Sequence, residues 1–178
     1  MAKFKLPDRD VEYLNSLGVK WEADFDRDSG MSYVIIYDVG IDTALFHVEG
    51  GKETVNILFM LPPGYPNCQI DMSSFYPDLS RTDRQNIPNL WRFYRVKGYN
   101  WQTWSRHRTG GEMWNPEIDG VASHLAYTDL FLQREVGGDI SESGSSRLVS
   151  TFVKKAGTGF KILKFPEKPR NRLIINMG

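Results

Sequence analysis

The residues best suited to chemistry crowd into one stretch, 101–116, which reads Trp-Gln-Thr-Trp-Ser-Arg-His-Arg-Thr-Gly-Gly-Glu-Met-Trp-Asn-Pro. It sets the Ser105 hydroxyl two positions from the His107 imidazole, with Arg106 and Arg108 interleaved and Trp101, Trp104 and Trp114 around them. A serine hydroxyl is a poor nucleophile until a base takes its proton or nearby donors stabilise the developing charge. In an extended loop residues 105 and 107 face the same side, which brings hydroxyl and imidazole within mutual reach; in a helical turn they diverge. The competing reading makes Ser105 a capping or solvent-facing hydroxyl and His107 a surface histidine. Two readings also stand for the tryptophans. They anchor the loop, because an indole buries a large area while keeping one donor to satisfy, or they join Arg92, Tyr94, Arg95, Lys97, Arg106 and Arg108 in a stacking platform for a nucleic-acid single strand.

The elements that must position this stretch are legible on either side of it. Residues 6–17 read as a helix: Asp8 follows Pro7 as a cap, Val11, Leu14 and Leu17 recur at helical spacing, and Gly18 ends it. Residues 19–25, 33–37 and 54–60 are short runs rich in aromatic and β-branched residues, separated by Asp-Arg-Asp-Ser-Gly and Glu-Gly-Gly-Lys turns, which predicts an antiparallel meander. Residues 44–48 either extend or precede the third strand. Leu61-Pro-Pro-Gly-Tyr-Pro66 closes the meander, since proline removes backbone donors. Residues 69–72 suggest one more short strand, and an irregular excursion is expected from Phe75 to the tryptophan stretch.

A second helix is predicted to start at Asn115-Pro116, with Ile118, Val121, Ala122, Leu125 and Leu132 on its core face. Tyr127, Leu130 and Phe131 fall on its other faces, so the C-terminal extension is expected to cover them. Residues 137–147 have a linker's composition. Beyond them, 148–153 and 160–165 read as a hairpin that must dock to be stable, followed by a basic end. The expected organisation is a domain over 1–136, a linker over 137–147 and a basic extension over 148–178.

Composition narrows the function. With 40% hydrophobic and 13% aromatic residues the chain can bury a core. It has no apolar run of membrane-spanning length and no apolar segment at its start, from which a cytoplasmic location is expected. The single cysteine, Cys68, excludes an intrachain disulfide and reads as an apolar filler; no metal site is expected. His47 and His124 read as structural. Net charge is zero but uneven: residues 1–60 hold six Lys/Arg against eleven Asp/Glu, residues 81–108 seven against one, and residues 147–178 eight against one. The basic stretches suit acidic partners.

The order of helix, meander, Pro-Pro-Gly-Tyr-Pro, long segment, Trp-Asn-Pro and amphipathic helix resembles the ubiquitin-conjugating superfamily. Leu6-Pro-Asp, Leu61-Pro-Pro-Gly-Tyr-Pro, Asp71-Met72, Trp101-Gln-Thr-Trp-Ser-Arg-His and Trp114-Asn-Pro-Glu-Ile-Asp resemble more narrowly its bacterial branch, prokaryotic family E, over roughly residues 5–135. The resemblance implies an α+β fold of helix, antiparallel sheet, active-site segment and helix. It also implies partners: a ubiquitin-like modifier, an activating enzyme that uses ATP, and a JAB-type protease encoded nearby, with no cofactor of the chain's own. In the family a cysteine about eight residues before Trp-x-Pro carries the modifier; here that spacing falls on Ser105, Arg106 or His107. The Pro-Asn half of the family's His-Pro-Asn oxyanion motif survives as Ile87-Pro88-Asn89, with isoleucine in place of histidine.

By this resemblance Ser105 replaces the cysteine and carries an acyl group as an oxyester, His107 and Arg106 assist, and Asn89 donates to the oxyanion. Asn89 also reads as a turn residue bonding its own backbone. Arg92, Arg95, Lys97, Arg108, Trp101 and Trp104 are the expected partner-binding residues. The alternatives are a non-catalytic module of the same fold that scaffolds modifier and activating enzyme, and a single-strand nucleic-acid binder.

Overall fold

A computed structural model describes residues 4–105, 114–137 and 162–166. Helix α1 (Asp8–Ser16) is followed by strands β1 (Trp21–Asp26), β2 (Met31–Ile41), β3 (Phe46–Val48), β4 (Thr54–Leu61), β5 (Ser73–Tyr76), β6 (Leu79–Arg81), β7 (Leu90–Val96) and β8 (Tyr99–Trp104). Helix α2 (Val121–Gly137) and the short strand β9 (Leu163–Lys164) complete it. The main sheet runs β1-β2-β4-β5-β8-β7, antiparallel at every pairing, and β9 pairs antiparallel with β2 at Gly40 and Ile41.

The predicted meander forms with longer strands than its apolar runs suggest. Successive residues of β2 alternate between faces: Val34 and Ile36 enter the larger core under the helices, while Tyr33 and Ile35 enter a second cluster on the opposite face. Residues 46–48 form a strand of their own that precedes the third strand of the meander, one of the two things expected of them. They leave the meander and pair with β6 in a separate two-stranded sheet. The strand expected at 69–72 lies a few residues later, at Ser73–Tyr76, where Ser74 pairs with Leu58.

Between Phe75 and the tryptophan stretch the chain is not the irregular excursion expected. It contains β6 and the hairpin β7–β8, whose turn places Lys97 at φ +54° and Gly98 at φ +80°. Two successive positive φ values match the right-handed twist of a tight hairpin; glycine takes the second without strain. The tip folds over the second face of the sheet, where Val96 and Trp101 pack with Tyr33, Ile35, Leu58 and Met60, and Lys97 Nζ reaches Glu22 Oε1 on β1 at 2.6 Å. The sheet therefore has apolar clusters on both faces.

Helix α1 buries Leu14, with Leu17 just beyond it, and stops at Gly18 with φ +70°. Asp8 does not cap it. Pro7 occupies the cap position, Asp8 is the first helical residue, and its carboxylate pairs with Lys5 at 3.0 Å in the first turn, where a negative charge suits the helix dipole. Helix α2 begins at Val121 instead of Asn115. Residues 115–119 form a turn of their own, closed by Asp119 N–H on Asn115 O at 2.7 Å and Asn115 N–H on Asp119 Oδ2 at 2.8 Å, which leaves Ile118 65% exposed and off the core face.

Val121, Leu125 and Leu132 are buried as expected, and so are Tyr127, Leu130 and Phe131. The extension does cover the helix: Ile162 and Leu163 are buried, and their backbone N–H groups donate to Asp129 Oδ1 of α2 at 2.9 and 2.7 Å. Strand β9 pairs with β2; residues 148–153, and with them the expected hairpin, lie outside the described residues, as does the expected linker beyond Gly137.

Candidate functional site

The site is built at the end of the β7–β8 hairpin. Leu90 and Trp104 are cross-strand partners, and the next step outward sets Asn89 opposite Ser105, whose N–H donates to Asn89 O at 3.0 Å. The fifteen residues between them fold out as the hairpin, so a large gap in sequence becomes one hydrogen bond in space. Asn89 holds φ +57°, a left-handed turn position that asparagine tolerates better than most side chains, and its side chain is exposed. Ser105 is half-buried. Beside this junction opens a groove of about 580 Å³ whose wall includes Leu79, Gln85, Ile87, Pro88, Asn89, Trp91 and Gln102, all uncharged.

Tryptophans hold both ends of the segment that carries the remaining candidates. Before it, Trp104 is buried against Phe75 and Phe131, and its Nε1–H donates to Pro88 O at 3.1 Å. After it, Trp114 packs near Tyr65 and donates from Nε1 to Pro66 O at 2.7 Å. His107, Arg106 and Arg108 lie outside the described residues. The backbone of Trp101–Trp104 is regular strand, contrary to the loop expected, because two indoles three positions apart fall on opposite faces of a strand and so fill the apolar clusters on both faces of the sheet.

Trp101 and Trp104 were expected to bind partners, and the structure corrects this. Trp101 is 1% and Trp104 2% exposed, and the Nε1–H of Trp101 is already given to Val96 O at 3.2 Å. Both rings are core anchors, which also removes them as stacking surfaces for bases. Of the other expected contact residues, Arg92 pairs with Asp78 at 2.7 Å while remaining largely exposed, and Arg95 is exposed. Lys97 is bound to Glu22, whose hydrogen bond holds the ammonium pKa above its ordinary value.

Cys68 is exposed on the turn after the proline-rich stretch, so the filler reading is corrected. His124 is buried, edge-on to Phe59, with Ser73 Oγ 3.3 Å from its Nε2; it is the packed, hydrogen-bonded residue the sequence suggests. His47 projects outward from β3.

A positioning device with no signal in sequence lies behind the site. The buried Asp10 carboxylate on α1 accepts from Val121 N–H at 3.0 Å, at the start of α2, and from the Tyr65 hydroxyl of the proline-rich turn. Burial raises its pKa above the ordinary carboxylate value, and the hydrogen bonds from Tyr65 and Val121 oppose that shift. The neighbouring Arg9 guanidinium donates to the carbonyls of Pro116, Glu117 and Asp119. Gly120 is required for this approach, because a Cβ there would stand 2.3 Å from Asp10 Oδ1. Helix α1, the proline-rich turn and the turn before α2 thus form one unit behind Trp114.

Comparison with family models matches residues 6–135 to prokaryotic E2 family E. The chain belongs to prokaryotic E2 family E. Comparison with curated proteins and with solved structures finds no match. The α+β arrangement is accordingly a bacterial ubiquitin-conjugating-like fold, and the chain's role is tied to ubiquitin-type conjugation, which in general means dealings with a ubiquitin-like modifier and its activating enzyme. No helix among the described residues is long and apolar enough to cross a membrane.

Proposed function

We propose that this E2 family E protein accepts a ubiquitin-like modifier as an oxyester on Ser105 and passes it to an amine. The Ser105 oxygen attacks the carbonyl of the modifier's C-terminal thioester on the activating enzyme; the serine proton goes to His107, the carbon–sulfur bond breaks, and His107 passes that proton to the departing thiolate. Asn89 and Arg106 stabilise the tetrahedral oxyanion, a contribution of roughly 3 kcal/mol for one well-placed donor. The single observation that supports this reading is the Ser105 N–H bond to Asn89 O, which sets the candidate oxyanion donor beside the candidate carrier. An ester is less activated than a thioester, so the carrier holds its cargo longer.

Incubation with the cognate activating enzyme, modifier and ATP tests it. The expected adduct survives thiols, breaks in mild base, persists in Cys68→Ser and vanishes in Ser105→Ala. Normal charging of Ser105→Ala would overturn the assignment. A second reading, a non-catalytic module that scaffolds modifier and activating enzyme, draws on one observation: the only thiol, Cys68, is exposed on the proline-rich turn instead of lying at the carrier position. Co-purification of a stoichiometric complex with no covalent adduct from any variant selects it.

A further inference from the structure

Strand β7 ends the main sheet, and among the described residues it pairs on one side only, with β8. Its other side offers backbone donors and acceptors to an incoming strand. The ladder contains a bulge: Arg92 opposes Gln102 and Tyr94 opposes Trp101, so Phe93 is the extra residue. This insertion sorts the side chains. Arg92 and Arg95, three apart in sequence, oppose Gln102 and Asn100, two apart, and so share one face of the sheet; Trp91 and Tyr94, opposing Thr103 and Trp101, share the other. Trp91 is 43% and Phe93 59% exposed at this edge.

We propose that the edge of β7 binds an extended segment of a partner protein, added as a further strand, whose side chains alternate between acidic and apolar. Charge identifies the occupant. Residues 84–111 contain no Asp or Glu, and Arg95 makes no ion pair among the described residues; Arg92 gives Asp78 one guanidinium nitrogen while 59% of its side chain remains accessible. Acidic side chains of the added strand lie beside Arg92 and Arg95, and apolar ones beside Trp91. Backbone pairing supplies affinity and the alternating side chains supply selectivity. This site does not depend on acylation of Ser105.

The test uses the full chain and a fluorescein-labelled peptide alternating glutamate with valine, seven residues long to match β7. Saturable binding is expected, weakening with added salt and by about tenfold or more in Arg95→Glu. The Arg27→Glu variant, changed at an exposed arginine in the turn between β1 and β2 at the opposite end of the main sheet, should bind normally, and amide shifts should concentrate in residues 90–96. A peptide of the same composition with its glutamates and valines in separate blocks, and one N-methylated at alternate residues, should both bind poorly. Absence of binding at low salt, or equal binding of the blocked peptide, overturns the proposal. So does tighter, Arg95-dependent binding of a single-stranded oligonucleotide, or self-association of the chain through this edge.

Discussion

At the scale of single residues the fold depends most visibly on Asp10, which ties α1 to the first turn of α2 and to Tyr65. Burial raises its pKa, so between the unfolded value near 3.8 and the raised folded value the native state binds more proton than the unfolded chain. Its contribution to stability is therefore complete below about pH 3.8 and is lost as pH rises through the folded pKa. Chemical denaturation across this range should show that loss superimposed on the ordinary carboxylate titrations. In Asp10→Asn, which keeps an acceptor for Val121 N–H and cannot ionise, the profile should be flatter at its upper end. An unchanged profile would mean that the carboxylate's burial costs little. Nothing in the primary structure distinguishes Asp10 from Asp8, its neighbour two positions back; only packing against Tyr65 and Gly120 does so.

At the scale of elements, what was legible followed from period and punctuation. Helix α1 and the central meander announce themselves by the spacing of Val11, Leu14 and Leu17 and by the runs 33–37 and 54–60, each bounded by glycine or proline. The β7–β8 hairpin did not, for two physical reasons: its turn is Lys97-Gly98 where Asn-Gly would have advertised it, and the bulge at Phe93 breaks the two-residue period. Half of the candidate site depended on that hairpin, because only its folding brings Asn89 to Ser105. The start of α2 was misplaced because Asn115 does cap, but it caps a turn ahead of the helix. The covering of α2 by the extension was anticipated from its apolar residues on several faces, though not the means. Asp129 supplies it by accepting both the Ile162 and Leu163 N–H groups in a buried setting. Asp129→Ala should leave those donors unmet, at about 1–3 kcal/mol for each buried group. Hydrogen exchange at residues 162 and 163 should rise well before exchange in β4; if both rise together, β9 is part of the global folding unit.

At the scale of the whole molecule, the sheet divides the apolar interior into two clusters, and β8 serves both. Trp104 points into the cluster beneath the helices and Trp101 into the cluster closed by the hairpin tip. The candidate site belongs to the first: Trp104 donates to Pro88 O next to Asn89, and Ser105 follows it directly. The second cluster is joined to the far edge of the sheet through Lys97 and Glu22, a half-exposed pair whose worth is at most about 1 kcal/mol, so it rests chiefly on Trp101 and its apolar neighbours. Truncating either indole should cost about 3–5 kcal/mol, but with different local consequences. In Trp101→Ala, exchange should accelerate at Tyr33, Ile35 and Val96 while the Ser105 amide stays protected. In Trp104→Ala, the Ser105 amide should lose protection and the groove at Ile87–Asn89 should open, with the second cluster little changed. The same exchange pattern in both variants would mean that the two faces behave as a single core and that the hairpin cannot be adjusted without disturbing Ser105. A separation between them would mean that the hairpin, including the exposed edge of β7, can vary in sequence while the junction of Asn89 and Ser105 keeps its geometry.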